Sequence, residues 1–341
     1  MDNQVRLTAA ELAEVSGAYI NASLSAHVLA YFLAIVEDED IKSVLQEGYT
    51  LSQSHMEKLQ TVLQQNNQPI PAGFTKDDIN LDAPRLYTDN YFLQYALQMG
   101  YLGMYSCTSA VSLTVQKDIY RLFSEGIRLF NQLHEKATDI ALYKGLYLRP
   151  PIVPTPNQKD IVKKQSFLTG WFGERRPLTL LEITNLYSNM KRNQLGIATL
   201  TGYSQVAKNK DVKAYINRGI DIAKKHADIF ASILKEENVP SPMGSDAMVT
   251  ASANIAPFSD RLMMFHVTEM ITLGITFYGM SISTNIRRDL AAKYTRLSGE
   301  IALYSEDGVN IMIENEWLEE PPRMVDREEL ANTDRKGNGY I

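Results

Sequence analysis

Residues of mostly apolar character recur every third or fourth position through the first 36 residues, which is the spacing of one face of an α-helix. They are Leu12, Val15, Tyr19, Leu24, His27, Ala30 and Leu33. Acidic turns, prolines and changes in charge pattern delimit three further helices, at about 41–66, 88–115 and 117–147. The first part of the chain is therefore predicted to form four long helices, and the fold class is predicted to be all-α.

The same pattern occurs twice. Leu7-Thr-Ala-Ala-Glu11 opens the first copy, and Leu178-Thr-Leu-Leu-Glu182 opens the second copy 171 positions later. With this shift and no gap, many unusual residues coincide: His55 with His226, Pro69, Pro71 and Gly73 with Pro240, Pro242 and Gly244, and Pro150-Pro151 with Pro321-Pro322. Copies that keep their helix breakers in register keep their helix boundaries in register, so we expect two homologous domains.

The predicted domains are residues 5–151 and 177–323, joined by a linker at 152–176 and followed by a polar tail at 324–341. Within each half, short links join the helices of a pair, and about twenty residues join the two pairs. This pattern predicts a four-helix bundle, and a long second connection is what ferritin-like bundles use to cross between pairs. A simple up-down-up-down bundle stays open, because twenty residues can reach either helix end. The sequence also leaves open whether the two bundles pack against each other.

Each half begins with a predicted capping box. The Thr8 hydroxyl can accept from the backbone amide of Glu11, whose carboxylate can accept from the amide of Thr8. Thr179 and Glu182 repeat this arrangement in the second copy. We therefore interpret both glutamates as capping residues and not as metal ligands.

Composition and charge narrow the functional class. The chain of 341 residues is 45% hydrophobic and 22% charged, with a net charge of −6. These values are typical of a soluble globular protein, and they argue against a dedicated nucleic-acid binder, which needs a concentrated basic surface. The lone Cys107 cannot form an internal disulfide, which fits a reducing compartment.

Two stretches bear on targeting. The opening Met1-Asp-Asn-Gln is not followed by an apolar signal core, so we predict no cleavable secretory signal. The third helix has no Asp, Glu, Lys or Arg from Phe92 through Val115. It is rich in Gln, Ser, Thr, Gly and Tyr, which favours a helix buried in a bundle over a transmembrane segment. The predicted location is cytoplasmic or spore-associated.

The linker carries the most distinctive sequence, Phe167-Leu-Thr-Gly-Trp-Phe-Gly-Glu-Arg-Arg-Pro-Leu178. It resembles the central signature of a tandem-domain family of unknown function from spore-forming bacteria. The endings Leu146-Tyr-Leu-Arg-Pro-Pro151 and Glu316-Trp-Leu-Glu-Glu-Pro-Pro322 are similar to that family's recurrent Trp-Leu-x-x-Pro-Pro element, with Tyr147 where Trp is usual.

The resemblance implies ferritin-like bundles related to spore coat protein F domains, and it implies no established activity. Our first hypothesis is therefore a non-enzymatic structural or interaction protein, with a homo-oligomer or a spore-layer protein as its partner.

A di-metal centre of the ferritin-like kind needs a Glu three positions before a His. The residues at that position before His55, His134, His226 and His266 are Ser52, Asn131, Ala223 and Met263. The chain therefore lacks the di-metal motif at these histidines.

A weaker constellation in the second copy consists of His226, His266, Glu269 and Glu306, with His55, Tyr95, Gln98 and Glu135 at the matching first-copy positions. His266 and Glu269 lie one turn apart on a shared helix face. No cofactor is expected, and a single divalent metal held by these four residues is the alternative. The competing interpretation makes His55 and His226 core residues whose ring nitrogens are satisfied by polar neighbours. A third hypothesis is an apolar small molecule bound between helices in a deep pocket lined by tyrosines of the third helix.

Overall fold

A computed structural model describes residues 6–171, 175–241, 247–251 and 253–327. Within these ranges the chain is all-helical, with short 3₁₀ helices at Lys76–Asp78 and Gln165–Leu168 and eight α-helices. The α-helices are α1 Ala9–Ile35, α2 Glu39–Gln65, α3 Asp89–Leu113, α4 Lys117–Tyr143, α5 Leu180–Val206, α6 Lys210–Glu236, α7 Asp260–Thr284 and α8 Arg288–Glu314. Each helix of the first half and its counterpart in the second have bounds 171 positions apart. The two halves therefore have the same layout.

The predicted capping boxes are present at both starts. Thr8 and Glu11 exchange the two hydrogen bonds of the motif at α1, and Thr179 and Glu182 exchange them at α5. Both glutamates are fully buried. The predicted role of these residues is confirmed.

Helix α4 ends at Tyr143, four residues before its predicted end. The amide of Leu146 reaches back to the carbonyl of Ala141 at 2.8 Å, and Gly145 has φ +69. This is the Schellman ending, which a glycine permits and which stops the helix. In α8 the equivalent bond joins Trp317 to Met312, and Glu316 takes the positive φ. Trp317 therefore corresponds structurally to Leu146, and the sequence comparison that placed Tyr147 at the usual Trp position was wrong by one residue.

The end-to-end contacts decide the topology of the bundle. Glu11 at the start of α1 accepts hydrogen bonds from Val115 and Gln116, just after α3. Asp89 at the start of α3 accepts from the amides of Glu37 and Asp38, between α1 and α2. Helices α2 and α3 therefore begin at the same end and run parallel, so the connection at 66–88 must travel the length of the bundle. This is a crossover connection, and the up-down-up-down alternative is wrong.

The second half repeats these contacts. Glu182 accepts from the amide of Arg287 after α7, and Asp260 at the start of α7 accepts from Lys208 and Asn209 between α5 and α6. The crossover topology is thus common to both halves.

The buried apolar residues of the described ranges fall into three clusters, of which one lies within each half and the largest spans both. The shared cluster joins Phe32 and Tyr91 of the first half to Tyr203 and Met264 of the second. Each half therefore has a core of its own, but the two bundles also pack together on a common one, a question that the sequence left open.

The two crossover connections pair with each other. Ile79 and Phe258 form one antiparallel bridge, and Tyr87 and Val249 form another. Beside them, Asp78 accepts hydrogen bonds from Ser259 at 2.7 Å and Arg261 at 3.1 Å. These contacts attach one half to the other through backbone as well as side chains.

Helix α1 is the one described helix that is long and apolar enough to cross a membrane by length and composition. Its residues Val28, Leu29 and Phe32 lie in the shared core and are almost fully buried. Part of the apolar character of α1 is thus explained by its contribution to the core that the two bundles share.

The linker contacts the second bundle at a few points. Val153 packs on the second-half core and Arg176 pairs with Glu182 of α5, whereas residues 154–166 are exposed. Trp171 is 60% exposed. Residues 172–174 of the predicted signature, and the predicted tail from residue 328 onward, lie outside the described residues.

Candidate functional site

A cavity of about 350 Å³ lies between the two halves. Helices α1 and α3 of the first half and α5 and α7 of the second supply most of the lining, and each of the other four helices contributes two or three residues. Most of the lining is apolar, and this part includes Leu24, Met99, Leu102, Leu195, Val267, Met270, Ile271 and Leu273. The size and the lining are those of small-molecule binding sites.

Small residues on the facing helices leave this space open. Ala22 and Ser25 on α1 line the cavity, and Gly196 occupies the position on α5 that is equivalent to Ser25. A Cβ atom added at Gly196 would meet nothing within 4 Å. The cavity therefore exists because side chains are missing where helices of the two halves face each other.

Arg192 brings a permanent positive charge to the lining. Its Nη2 donates to Asn189 Oδ1 at 2.7 Å, and its guanidinium lies 3.9 Å from the ring centroid of Phe277. Burial lowers the pKa of Arg192, but an arginine stays charged in proteins. Across the part of the chain that the structure describes, no carboxylate lies within ion-pair distance of Arg192.

Glu269 supplies the acidic group. Burial raises the pKa of its carboxyl, and a hydrogen bond with Asn21 of the opposite half opposes that shift. The first-half equivalents of Arg192 and Glu269 are Asn21 and Gln98, which are neutral. In each of these two pairs of equivalent positions, the ionisable residue is therefore the one from the second half.

Two histidines also line the cavity, and both are uncharged at neutral pH. His266 Nδ1 lies 2.6 Å from the hydroxyl of Tyr203, and burial lowers the pKa of His266 to about 4. His55 has its ring edge-on to Phe130, and burial, together with nearby Lys58, lowers the pKa of His55 to about 4. Neither imidazole is poised to exchange a proton near pH 7.

The four residues predicted as a metal site occupy different surroundings. His266 and Glu269 line the cavity, but His226 and Glu306 do not. His226 is fully buried, with Nδ1 3.0 Å from Tyr278 Oη and Nε2 3.1 Å from Glu300 Oε2. Glu306 is exposed on α8.

The described part of the chain contains no group of three or more His, Cys, Asp or Glu side chains that could hold a metal ion. For His226, these contacts agree with the competing interpretation, in which polar neighbours satisfy a core histidine. The sequence reasoning missed Glu300 as the carboxylate that reaches it.

Cys107 and His55 are close neighbours at one wall of the cavity. A Cβ atom at Gly126 would lie 2.7 Å from the Cys107 sulfur and 2.9 Å from His55 Cε1. Burial raises the pKa of the Cys107 thiol to about 12. Because the thiolate is the reactive form, this thiol is a poor nucleophile despite its histidine neighbour.

The family described as "Protein of unknown function (DUF3231)" matches residues 1–158 and again residues 166–330. The chain belongs to the DUF3231 family. Two tandem matches agree with the repeat inferred from the shift of 171 positions. No curated protein matches the chain.

Among solved structures, a "putative spore coat protein" from Bacillus halodurans is similar to part of this DUF3231 chain. The sequences are 17% identical, and the TM-score is 0.42. The similarity covers 44% of this chain and 98% of the other.

In this DUF3231 protein the cavity is a product of the tandem arrangement, because neither copy encloses it alone. Sequence reasoning did not single out Arg192 as a functional residue. A comparison of the two copies could have found it, because Arg192 is equivalent to the neutral Asn21, just as Glu269 is equivalent to the neutral Gln98. Two half-buried positions that are neutral in the first copy and ionisable in the second mark a place where the copies differ.

Proposed function

We propose that this DUF3231 protein is a non-enzymatic binding protein that holds an apolar small molecule between its two halves. The observation that carries the proposal is the cavity of about 350 Å³ with a mainly apolar lining. It agrees in part with the third hypothesis drawn from the sequence, a pocket lined by tyrosines of the third helix, of which Tyr95 is among the lining residues. Long helices that are packed on a common core form its walls, so the site is already shaped before a ligand enters.

The titratable groups on the lining favour binding over catalysis. The pKa values of His55 and His266 lie near 4, and that of the Cys107 thiol lies near 12. A general acid or base works best with a pKa near the operating pH, and a nucleophilic cysteine needs a lowered pKa. These three groups are therefore suited to packing against a ligand and not to proton transfer.

A cavity-filling variant tests the proposal. A neutral naphthalene dye whose fluorescence rises in apolar surroundings serves as the probe. Gly196→Leu places a side chain in the open space, whereas Gly17→Leu makes the same change at an exposed helical glycine whose added Cβ also meets nothing within 4 Å. We expect wild type and Gly17→Leu to bind the dye equally and Gly196→Leu to bind it at least about tenfold more weakly. Equal binding by all three proteins, or none by the wild type, would reject the proposal.

We further propose that the protein works in association with the spore or the cell that forms it. The support is the resemblance of the central signature, residues 167–178, to a family from spore-forming bacteria. Antibody detection in purified spores, their extracts and vegetative lysates checks this location. Equal amounts of protein in growing cells and absence from spores would contradict it.

A further inference from the structure

We infer that the ligand is an amphiphile with an anionic head group, and that Arg192 binds this head group. The inference rests on the proposed function, because it assumes that the cavity takes a small molecule. It adds the chemical class and the orientation of that molecule.

The surroundings of Arg192 leave its charge uncompensated. A guanidinium carries five N–H donors, and the described residues account for one hydrogen bond from it, to Asn189. The other neighbours of the Arg192 guanidinium are aromatic: it lies over the ring of Phe277, and tyrosines surround it. A largely buried cation without a counterion is costly, whereas a carboxylate or another oxyanion would satisfy both charge and hydrogen bonding.

Glu269, the acidic group on the lining, does not need a cationic group of the ligand as its partner. A carboxyl group in an apolar site can discharge itself by taking up a proton, and burial raises the pKa of Glu269 in that direction. Asn21 also gives it a polar partner from the other half. Among the described residues Arg192 has no hydrogen-bond partner from the opposite half, and its charge is permanent, so it is the group that needs a partner in the ligand.

An aromatic neighbour holds the Arg192 guanidinium in place, at 3.9 Å from the ring centroid of Phe277. Phe277 is itself stacked on Tyr101, with ring centroids 5.7 Å apart, so the guanidinium rests on a fixed aromatic surface. The equivalent of Arg192 in the first half is the neutral Asn21. The cavity therefore offers one anion-binding position, and a bound amphiphile has one orientation.

The experiment compares head groups on a single chain length. Decanoate, decanol and decylamine compete with the neutral dye at neutral pH for the wild type, Arg192→Met and a control, Arg128→Met, which changes an exposed arginine on α4. We expect wild type to prefer decanoate over decanol by roughly 10- to 100-fold, the value of a charge-assisted hydrogen-bonded pair. Arg192→Met should lose this preference while it keeps its affinity for the dye and for decanol, and Arg128→Met should behave as wild type.

The outcomes separate the two proposals. Wild type that binds the dye but prefers decanol, or an Arg192→Met that keeps the preference for decanoate, would overturn the anionic head group and leave cavity binding intact. A preference for decylamine that Glu269→Gln abolishes would assign the head group to a cation and also overturn it. Wild type that binds neither dye nor amphiphile would reject the proposed function and this inference with it. If Arg192→Met does not fold, Arg192→Lys takes its place. A preference for decanoate over decanol in both wild type and Arg192→Lys would support the inference, and its absence in wild type would overturn it.

Discussion

Glu182 accepts a hydrogen bond from the backbone amide of Arg287 at 3.0 Å while it also caps the first turn of α5. In the first half, Glu11 accepts from Gln116 at 2.7 Å and caps α1 in the same way. One buried carboxylate thus ties the start of a half to the junction between its third and fourth helices. The sequence predicted the cap but not this second contact.

Glu182→Gln should lower the free energy of unfolding by roughly 3 kcal/mol, because it leaves the Arg176 guanidinium, which is 12% exposed, without its counterion. Burial alone would raise the pKa of Glu182, but Arg176 and the amides of Thr179 and Arg287 lower it to about 2. The folded-state pKa is depressed, so its contribution is complete above about pH 5 and is lost as the pH falls through about 2. Urea unfolding of wild type and Glu182→Gln at pH 7 and at pH 3 measures this contribution to the free energy of unfolding.

The difference between wild type and Glu182→Gln should therefore shrink in acid. Glu11→Gln is the matched control, since Glu11 has the same cap and junction contacts but no arginine partner assigned to it. We expect a smaller loss there. An equal loss in both variants, or a loss that does not depend on pH, would contradict this account.

Replacement of the two linker arginines, Arg175 and Arg176, should lower the stability by very different amounts. Arg176 is 12% exposed and pairs with fully buried Glu182 through two hydrogen bonds, whereas the Arg175–Glu236 pair is largely exposed. Arg176→Ala should therefore cost roughly 3 kcal/mol and Arg175→Ala no more than about 0.5 kcal/mol. We interpret Arg175 and Arg176 as residues that hold the linker against Glu236 and Glu182, which lie at helix ends, and thermal melting of both variants tests this interpretation. Similar small shifts for the two would reject it.

Glu316→Gly should stabilise the protein. Glu316 has φ 58, a region that costs a side chain about 1–2 kcal/mol, and the equivalent residue in the first half is Gly145. The gain should be about 0.5–1 kcal/mol after the greater freedom of glycine in the unfolded chain is counted. The reciprocal change, Gly145→Ala, should destabilise by a similar amount. Opposite signs in the two melting temperatures are the expected result, and a loss in both would contradict it.

Gly202→Ala should disturb the junction of the two halves. Its added Cβ would lie 2.4 Å from the hydroxyl oxygen of Tyr87, which donates to the Thr199 carbonyl at 2.7 Å. We expect a loss of about 1–3 kcal/mol, the usual cost of overpacking a core. Gly17→Ala, at an open helical position, should instead stabilise by about 0.5–1 kcal/mol. Chemical denaturation followed by circular dichroism compares them, and a neutral Gly202→Ala would show that the halves are not tightly packed there.

The candidate metal site can be settled by elemental analysis of protein purified without chelators. Because Glu306 is exposed and both ring nitrogens of His226 face protein partners, we expect no stoichiometric Fe, Mn or Zn. His226→Ala should lower stability by a few kcal/mol through the loss of buried packing and of the bonds to Tyr278 and Glu300. Bound metal that disappears in His226→Ala would restore the metal-binding alternative.

The helices, their capping boxes and the repeat could all be predicted from the order of the residues. These features depend on residues that are close along the chain, such as Thr8 and Glu11 or the prolines after each second helix, so local pattern is sufficient to predict them. Even the error at the end of α4 was local, because Gly145 stops a helix whose apolar pattern continues.

The pairing of the crossovers, the core that the halves share, and the cavity beside Gly196 and Arg192 could not be predicted and became visible in the folded chain. The folded chain also shows that Glu300 and not Glu306 reaches His226. The physical reason is that an apolar helix face shows that it will be buried but not against which partner. That choice depends on the direction of the crossover and on the packing of side chains far apart in sequence.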